Sequence, residues 1–220
     1  MADLYKLQFN NRTILTPSRD SFVAYFGVTT MQEYVNLGTT EYSRSGAAGI
    51  VYYALTGMPS SSSFNYFTYI FDAYLSSGGG AADIYLNNAS NGDIWRIRTH
   101  TRHSYPGFVG IQGNVTGWST ASGAPTIGSF TQDGVSYRYC SSKFTKSTYA
   151  RFKLVFDRNA KICYTYIGGT LLGTVTLNVD PITISKFGLM SETGTSNETA
   201  KMKNIKVAGF ENLSDAQNWS

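Results

Sequence analysis

The chain is 220 residues long, 42% apolar and 15% aromatic with only 15% charged residues, which excludes a disordered polar tract and disfavours helices, since Gly, Ser, Thr, Asn and Tyr stand where Lys and Glu usually do. The net charge of +4, from 18 basic and 14 acidic groups, is too small to demand nucleic acid. Two cysteines, Cys140 and Cys163, rule out a disulfide framework and leave either one bridge or two half-buried thiols.

In chain order, the first 50 residues are the least legible. They are expected to be outer strands or an anchoring extension, with one helical turn near Thr30 to Asn36. The opening MADLYKLQFNN lacks the apolar run of an export signal, and no later stretch reaches the ~18 apolar residues of a membrane span. Strands are then predicted at Ile50 to Thr56, Ser63 to Leu75, Asp83 to Leu86, Ile94 to Thr101 and Val135 to Cys140, separated by Gly/Ser/Asn-rich turns, with Thr116 to Gly128 read as one such turn cluster. Between Ala150 and Leu177, Phe152, Leu154 and Phe156 alternate with polar residues, Asp157-Arg158-Asn159-Ala160 turns, and Ile162, Tyr164 and Tyr166 resume the apolar face. Gly168-Gly169 offers a second tight turn, completing a three-strand meander. Ile184 to Met190 and Met202 to Phe210 close the pattern. Strands about ten residues apart with no linker between them predict one all-β domain, an antiparallel sandwich over residues 1 to 220.

Two strands carry candidate site residues. In WRIRTHTRH, alternation puts Trp95 and Ile97 in the core and sets Arg96, Arg98, His100 and Arg102 on the outer face, about 7 Å apart. Such a row either grips carboxylates or sulfates of an acidic glycan, with Tyr105 and Trp118 stacking on sugar rings, or pairs with acids of neighbouring strands. On the second strand, Phe67, Tyr69, Phe71, Ala73 and Leu75 point inward. Tyr66, Thr68, Ile70, Asp72 and Tyr74 then form either a sugar-binding floor or a face covered by a neighbouring subunit or loop. Asp72 is the one acid expected well inside a strand. Six Asn-x-Ser/Thr sequons, at Asn11, Asn88, Asn114, Asn197, Asn212 and Asn218, carry little weight in so Asn-, Ser- and Thr-rich a chain.

RFKLVFDRNAKICYTYIGGTLLGTVTL (151 to 177) resembles the hairpin shared by concanavalin A-like lectins, laminin G-like domains and the related jelly-roll glucanases and lyases. ISKFGLM (184 to 190) and KMKNIKVAGFE (201 to 211) resemble that family's closing strands, with Lys203-Asn204-Ile205 where an Asp-Asn-Ile/Val is common. The resemblance spans about residues 60 to 220 and implies a concanavalin A-like jelly-roll fold. It says little of activity, because many functions share this fold. The Glu-x-Asp-x-x-Glu strand of the glucanases is missing, and Glu33, Glu41, Glu192, Glu198 and Glu211 are scattered. His100 and His103 have no Cys, Asp or Glu spaced for a metal, no Asp-rich calcium loop occurs, and there is no G-x-S-x-G. The expectation is a non-catalytic, lectin-like module without cofactor that binds a glycan, acidic polysaccharide or host-surface carbohydrate among them. Rival expectations are a lyase or hydrolase of the same fold and a ligand-free structural subunit. The charge-poor, Gly/Ser/Thr/Asn/Tyr-rich composition is similar to that of bacteriophage capsid-decoration, tail or fibre proteins. That similarity implies a virion-surface or post-lysis extracellular location, with self or other virion proteins as partners.

Overall fold

A computed structural model describes residues 30–59, 62–90, 92–111, 115–193 and 197–220. In chain order the strands are β1 (Met31–Asn36), β2 (Tyr42–Ser45), β3 (Gly49–Ala54), β4 (Tyr66–Ser76), β5 (Ala81–Asn87), β6 (Asp93–His100), β7 (Gly107–Ile111) and β8 (Val115–Thr120). They continue with β9 (Gly128–Gln132), β10 (Val135–Tyr139), β11 (Tyr149–Asp157), β12 (Ile162–Ile167), β13 (Thr170–Leu177), β14 (Lys186–Ser191) and β15 (Thr199–Phe210), before one short helix, α1 (Leu213–Asn218).

These strands form two antiparallel sheets, a jelly-roll β-sandwich. The first runs β1-β15-β4-β11-β12-β13-β8, with β2 also on β15, and the second runs β3-β14-β5-β6-β7-β10-β9. One hydrophobic cluster fills the space between them. Its centre is Phe152, fully buried, with Phe71 stacked at 5.5 Å and Trp95, Phe108 and Phe144 meeting it edge-on at 5.6, 6.2 and 5.2 Å. Offset and edge-on contacts of this kind suit the ring quadrupole and add to the area each ring buries. The expected inward set Phe67, Tyr69, Phe71, Ala73 and Leu75 is buried as a block, as are Trp95 and Ile97.

Several expectations need correction. Thr30 to Asn36 contains no helical turn: β1 pairs with β15 from Met31↔Phe210 to Asn36↔Lys206, and a bulge between Glu33 and Val35 breaks the alternation that would have marked a strand. Residues 30 to 50 are therefore outer strands, while residues 1 to 29, with the sequon at Asn11, lie outside the described residues, as does the sequon at Asn114. The stretch 116 to 128 is not one turn cluster, since β8 occupies its first part.

The β11–β12 hairpin also sits one residue off the expected faces. Phe152, Leu154 and Phe156 lie opposite Ile167, Thr165 and Cys163, so these three point inward and Tyr164 and Tyr166 point outward. The outward rings are half-buried rather than exposed because α1 lies over that face. Ala216 packs with Val155, Ala208 and Phe210, flanked by Tyr66, Tyr164, Tyr166 and Trp219. Thr68 Oγ1 donates to Ala216 O at 2.9 Å and Lys153 Nζ to Gln217 O at 2.5 Å. Cys140 and Cys163 are buried free thiols, and burial raises the pKa of Cys163 far above its usual value.

Candidate functional site

The outer face of the second sheet concentrates the chemistry. Alternation on β5 and β6 brings Asp83 and Tyr85 beside Arg96 and Arg98, through the registers Asp83↔Arg98 and Tyr85↔Arg96. Asp83 is fully buried. Its Oδ2 accepts from Arg96 Nη2 at 2.7 Å and from the Tyr85 hydroxyl at 2.6 Å, and its Oδ1 lies 3.3 Å from Arg98 Nε. Burial pushes the Asp83 carboxyl up while Arg96, Arg98 and the Tyr85 hydroxyl pull it down. Burial is the larger influence and the net direction is upward, opposed by the two guanidinium groups at these distances. The Arg96 guanidinium lies 4.6 Å from the Tyr85 ring and 6.0 Å from that of Tyr137, a cation held between two aromatic faces.

Arg96 and Arg98 thus take the second of the two arrangements expected of the row, pairing with acids from neighbouring segments in a buried, internally neutralised cluster. The side chains of Arg96 and Arg98 are 13% and 6% exposed, and Arg98 Nη1 also donates to Asp133 Oδ2 at 2.9 Å. Arg102 leaves the row because β6 ends at His100. It sits exposed in the following turn, where its backbone N–H donates to His100 Nδ1 at 3.0 Å. That bond makes Nδ1 the acceptor, so a neutral His100 carries its proton on Nε2, 3.9 Å from Glu192 Oε2.

Beside the charges runs a continuous ladder of rings. His103 stacks on Phe130 at 3.9 Å, Phe130 on Tyr137 at 5.2 Å and Tyr139 at 6.4 Å, and Tyr139 on Tyr105 at 5.5 Å, while His100 meets His103 at 6.3 Å. Two glycines leave the rings room. A Cβ on Gly107 would stand 2.5 Å from Tyr137 Cβ, and one on Gly128 would stand 2.2 Å from Tyr139 Cζ. His103, Phe130 and Tyr139 are half-exposed and Tyr105 exposed, so the ladder is open to solvent along one side. Lys146, whose Nζ donates to His100 O at 2.8 Å, and Arg102 border it with positive charge.

Burial lowers the pKa of His100 and His103 below the ordinary 6.5. Glu192 pulls His100 up while Arg102 and Arg98 push it down, and His103 is held lower by His100. Both rings are neutral at pH 7 and able to exchange hydrogen bonds with hydroxyls. An unfolded chain binds protons at both sites near pH 6.5 and the folded chain does not, so their contribution to stability is intact above that pH. It is lost as pH falls through 6.5 towards the lower folded values. The urea midpoint is expected to fall between pH 7 and about 5, and the His100→Gln/His103→Gln variant to lose that part of the slope.

The remaining expected residues lie elsewhere. Trp118 is on β8 in the first sheet, its ring edge-on to Phe108 at 5.8 Å and its Nε1 donating to Thr120 Oγ1, so it does not join Tyr105. Tyr66, Asp72 and Tyr74 occupy the outer face of the first sheet. There α1 and Trp219 flank Tyr66, and Asp72 accepts from Asn204 Nδ2 at 2.6 Å. Tyr74 meets Tyr149 at 5.4 Å, and Tyr149 donates to Glu41. The cover expected from a neighbouring subunit or loop comes, in part, from the chain's own helix.

Sequence reasoning missed Asp83, Tyr85, Asp133, Tyr137, Tyr139, Phe130 and His103 as site residues. The signal for the β9–β10 ribbon was present: Asp133-Gly134 between apolar runs marks a two-residue hairpin, and both residues take positive φ, 52° and 75°. Among the described residues no group of three or more His, Cys, Asp and Glu is placed to hold a metal, and no helix is long and apolar enough to cross a membrane.

No known protein family and no curated protein matches the chain. Among solved structures it is similar to a sialidase, at 10% identity and a TM-score of 0.47 over 85% of this chain, which spans only 17% of the sialidase. It is also similar to a galectin of Caenorhabditis elegans, at 9% identity and a TM-score of 0.40, over 73% of this chain and 95% of the galectin. A third is the CBM40 of a Ruminococcus gnavus IT-sialidase bound to α2,3-sialyllactose, at 11% identity and a TM-score of 0.43, over 84% and 97% of the two chains.

Proposed function

We propose that this protein is a non-catalytic carbohydrate-binding module whose ligand lies along the ring ladder of the second sheet. The observation that carries the reading is the ladder itself. Stacked rings from Phe130, Tyr139 and Tyr105, open to solvent along one side, run beside the neutral imidazoles of His100 and His103 and the cations Arg102 and Lys146. Sugar C–H faces suit such rings, and hydroxyls suit the imidazoles. The bordering cations favour a glycan bearing carboxylate or sulfate groups.

The carboxylates favour binding over cleavage. Asp83 is committed to two arginines, Glu192 accepts from the Ala81 N–H at 2.7 Å, and the fully buried Glu198 accepts from Ser191 and Thr193. Each of these three carboxylates is tied to the fold, whereas glycoside hydrolysis needs an acid and a base free to face one bond. A place on a phage particle is part of the same proposal, supported by composition alone. Co-sedimentation of the protein with intact particles tests it, and recovery only in the particle-free fraction overturns it.

The test of binding is retention on an acidic polysaccharide column at low salt. Tyr139→Ala and Phe130→Ala are each expected to weaken retention about tenfold, the factor for a ring contact of about 1.4 kcal/mol, and Arg102→Ala to weaken it in a salt-dependent way. Arg98→Ala is not a suitable probe, because it breaks the buried cluster. Unchanged retention in all three variants, or release of reducing ends or unsaturated products from the glycan, contradicts the proposal.

A further inference from the structure

The strand β3, with sequence GIVYYA, ends the second sheet, and no other described strand pairs with its far side. Hydrogen bonding on its near side fixes which backbone groups are free. Leu55 N–H donates to Ser185 O at 2.8 Å, while across β14 the Glu192 N–H donates to Ala81 O at 2.9 Å. Alternation from these two anchors turns the N–H and C=O of Gly49, Val51 and Tyr53 towards β14 and those of Ile50, Tyr52 and Ala54 away from it.

The other edges are blunted. The edge strand β1 carries exposed Glu33 and a bulge, β8 is bulged about Gly117, which has φ of 61°, and β9 presents exposed Ser129 and Thr131. By contrast β3 has no charge, no proline and no bulge in its pairing with β14, and it exposes Ile50 at 39% and Tyr52 at 36%. An extended, apolar edge without these devices is a template for another strand. Two cations border the strand and both are engaged: Lys186 is held over the Tyr52 ring at 5.1 Å and donates to Ala89 O at 2.8 Å, and Arg44 Nη2, beside Gly49, donates to Ala48 O at 2.5 Å.

We propose that β3 is the homodimer interface of this protein: two copies pair β3 with β3 antiparallel across a two-fold axis at Tyr52, joining their second sheets into one. A two-fold arrangement needs a self-complementary patch, and an uncharged strand meets its own copy without like-charge repulsion. In this register Ile50 faces the partner's Ala54, Tyr52 faces its counterpart, and every outward backbone group of Ile50, Tyr52 and Ala54 finds a mate. Side chains directly opposite share a face, so the Tyr52 rings meet on the outer side and Val51 meets the partner's Tyr53 on the inner side. The dimer stands independently of what the ring ladder binds; if both hold, the two ladders lie on one continuous sheet and engage a polymeric ligand together.

Sedimentation of the full chain tests this. The wild-type protein is expected at twice the mass of one chain. Tyr52→Lys and Tyr52→Glu, at an exposed position whose backbone bonds are not used within the chain, should each sediment as monomers with unchanged circular dichroism. An equimolar mixture of the two should recover the doubled mass, because opposite charges then face each other; refolding damage could not produce that recovery. A monomeric wild type, a dimeric Tyr52→Lys, or a mixture that stays monomeric overturns the proposal. Slow amide exchange at Ile50 and Tyr52 in a monomeric wild type would assign the edge to another segment of the same chain instead. Column retention, read separately, tells failure of the dimer from failure of glycan binding.

Discussion

Asp83→Ala is expected to lower the free energy of unfolding by about 3–5 kcal/mol, the range for removing one partner from a buried ion pair. The size follows from what is left behind. Arg96 and Arg98, with side chains only 13% and 6% exposed, lose the carboxylate between them, and the Tyr85 hydroxyl loses its 2.6 Å acceptor. Asp133 cannot take over, since it reaches only Arg98 Nη1 and is itself 65% exposed; a solvent-exposed carboxylate contributes about 1 kcal/mol at most. Urea unfolding should show the loss as a lower midpoint with the slope retained. The triple variant Asp83→Leu/Arg96→Met/Arg98→Met is expected to recover most of it, because a buried ion pair replaced whole by apolar side chains costs little. A triple variant as unstable as the single one would show that the cluster contributes more through packing on Tyr85 and Tyr137 than through charge.

The second large effect is expected of Phe152→Ala, at about 3–5 kcal/mol, the usual cost of removing a fully buried phenylalanine. Phe71, Trp95, Phe108 and Phe144 all rest on this ring, from strands of both sheets and the loop after β10. The backbones of Phe71, Trp95 and Phe108 are fixed by sheet pairing, so the space does not close by collapse of the strands. Phe152→Leu should cost clearly less, because it refills most of the volume. Thermal melts of the two variants read the difference directly, and equal melting temperatures would mean that the sandwich rearranges around the gap.

The parts of the fold legible in the sequence are those where alternation runs unbroken. Strands β4, β6, β11 and β14 lie close to where the apolar pattern puts them, and the inward faces of β4 and β6 are as expected. Legibility fails where the backbone departs from period two. The bulge in β1 hid that strand, and the register of β12 turned Tyr164 and Tyr166 outward although they resemble core residues. No local pattern announces that a C-terminal helix will return to cover them. The site was half legible for a similar reason. The outward direction of Arg96, Arg98 and His100 follows from their own strand, but what meets them comes from Asp83 on β5, Asp133 in a turn, and Phe130 and Tyr137 on a distant hairpin. Charge on a strand face indicates exposure only if the neighbouring strands bring no opposite charge.

Strand β15 sets the order in which this protein can be made. On one side its residues 206 to 210 pair with residues 31 to 36 of β1 and its residues 199 to 202 with residues 42 to 45 of β2, and on the other side it pairs with residues 66 to 76 of β4. A ribosome must therefore synthesise as far as residue 210 before β1 and β2 can join the first sheet, and until then β4 presents a bare edge. Closure over so long a separation is slow, and the waiting intermediate is prone to pair with other chains. Nascent protein is accordingly expected to depend on chaperones until its last strand emerges, and a premature stop anywhere before residue 199 should yield insoluble product rather than a smaller folded one.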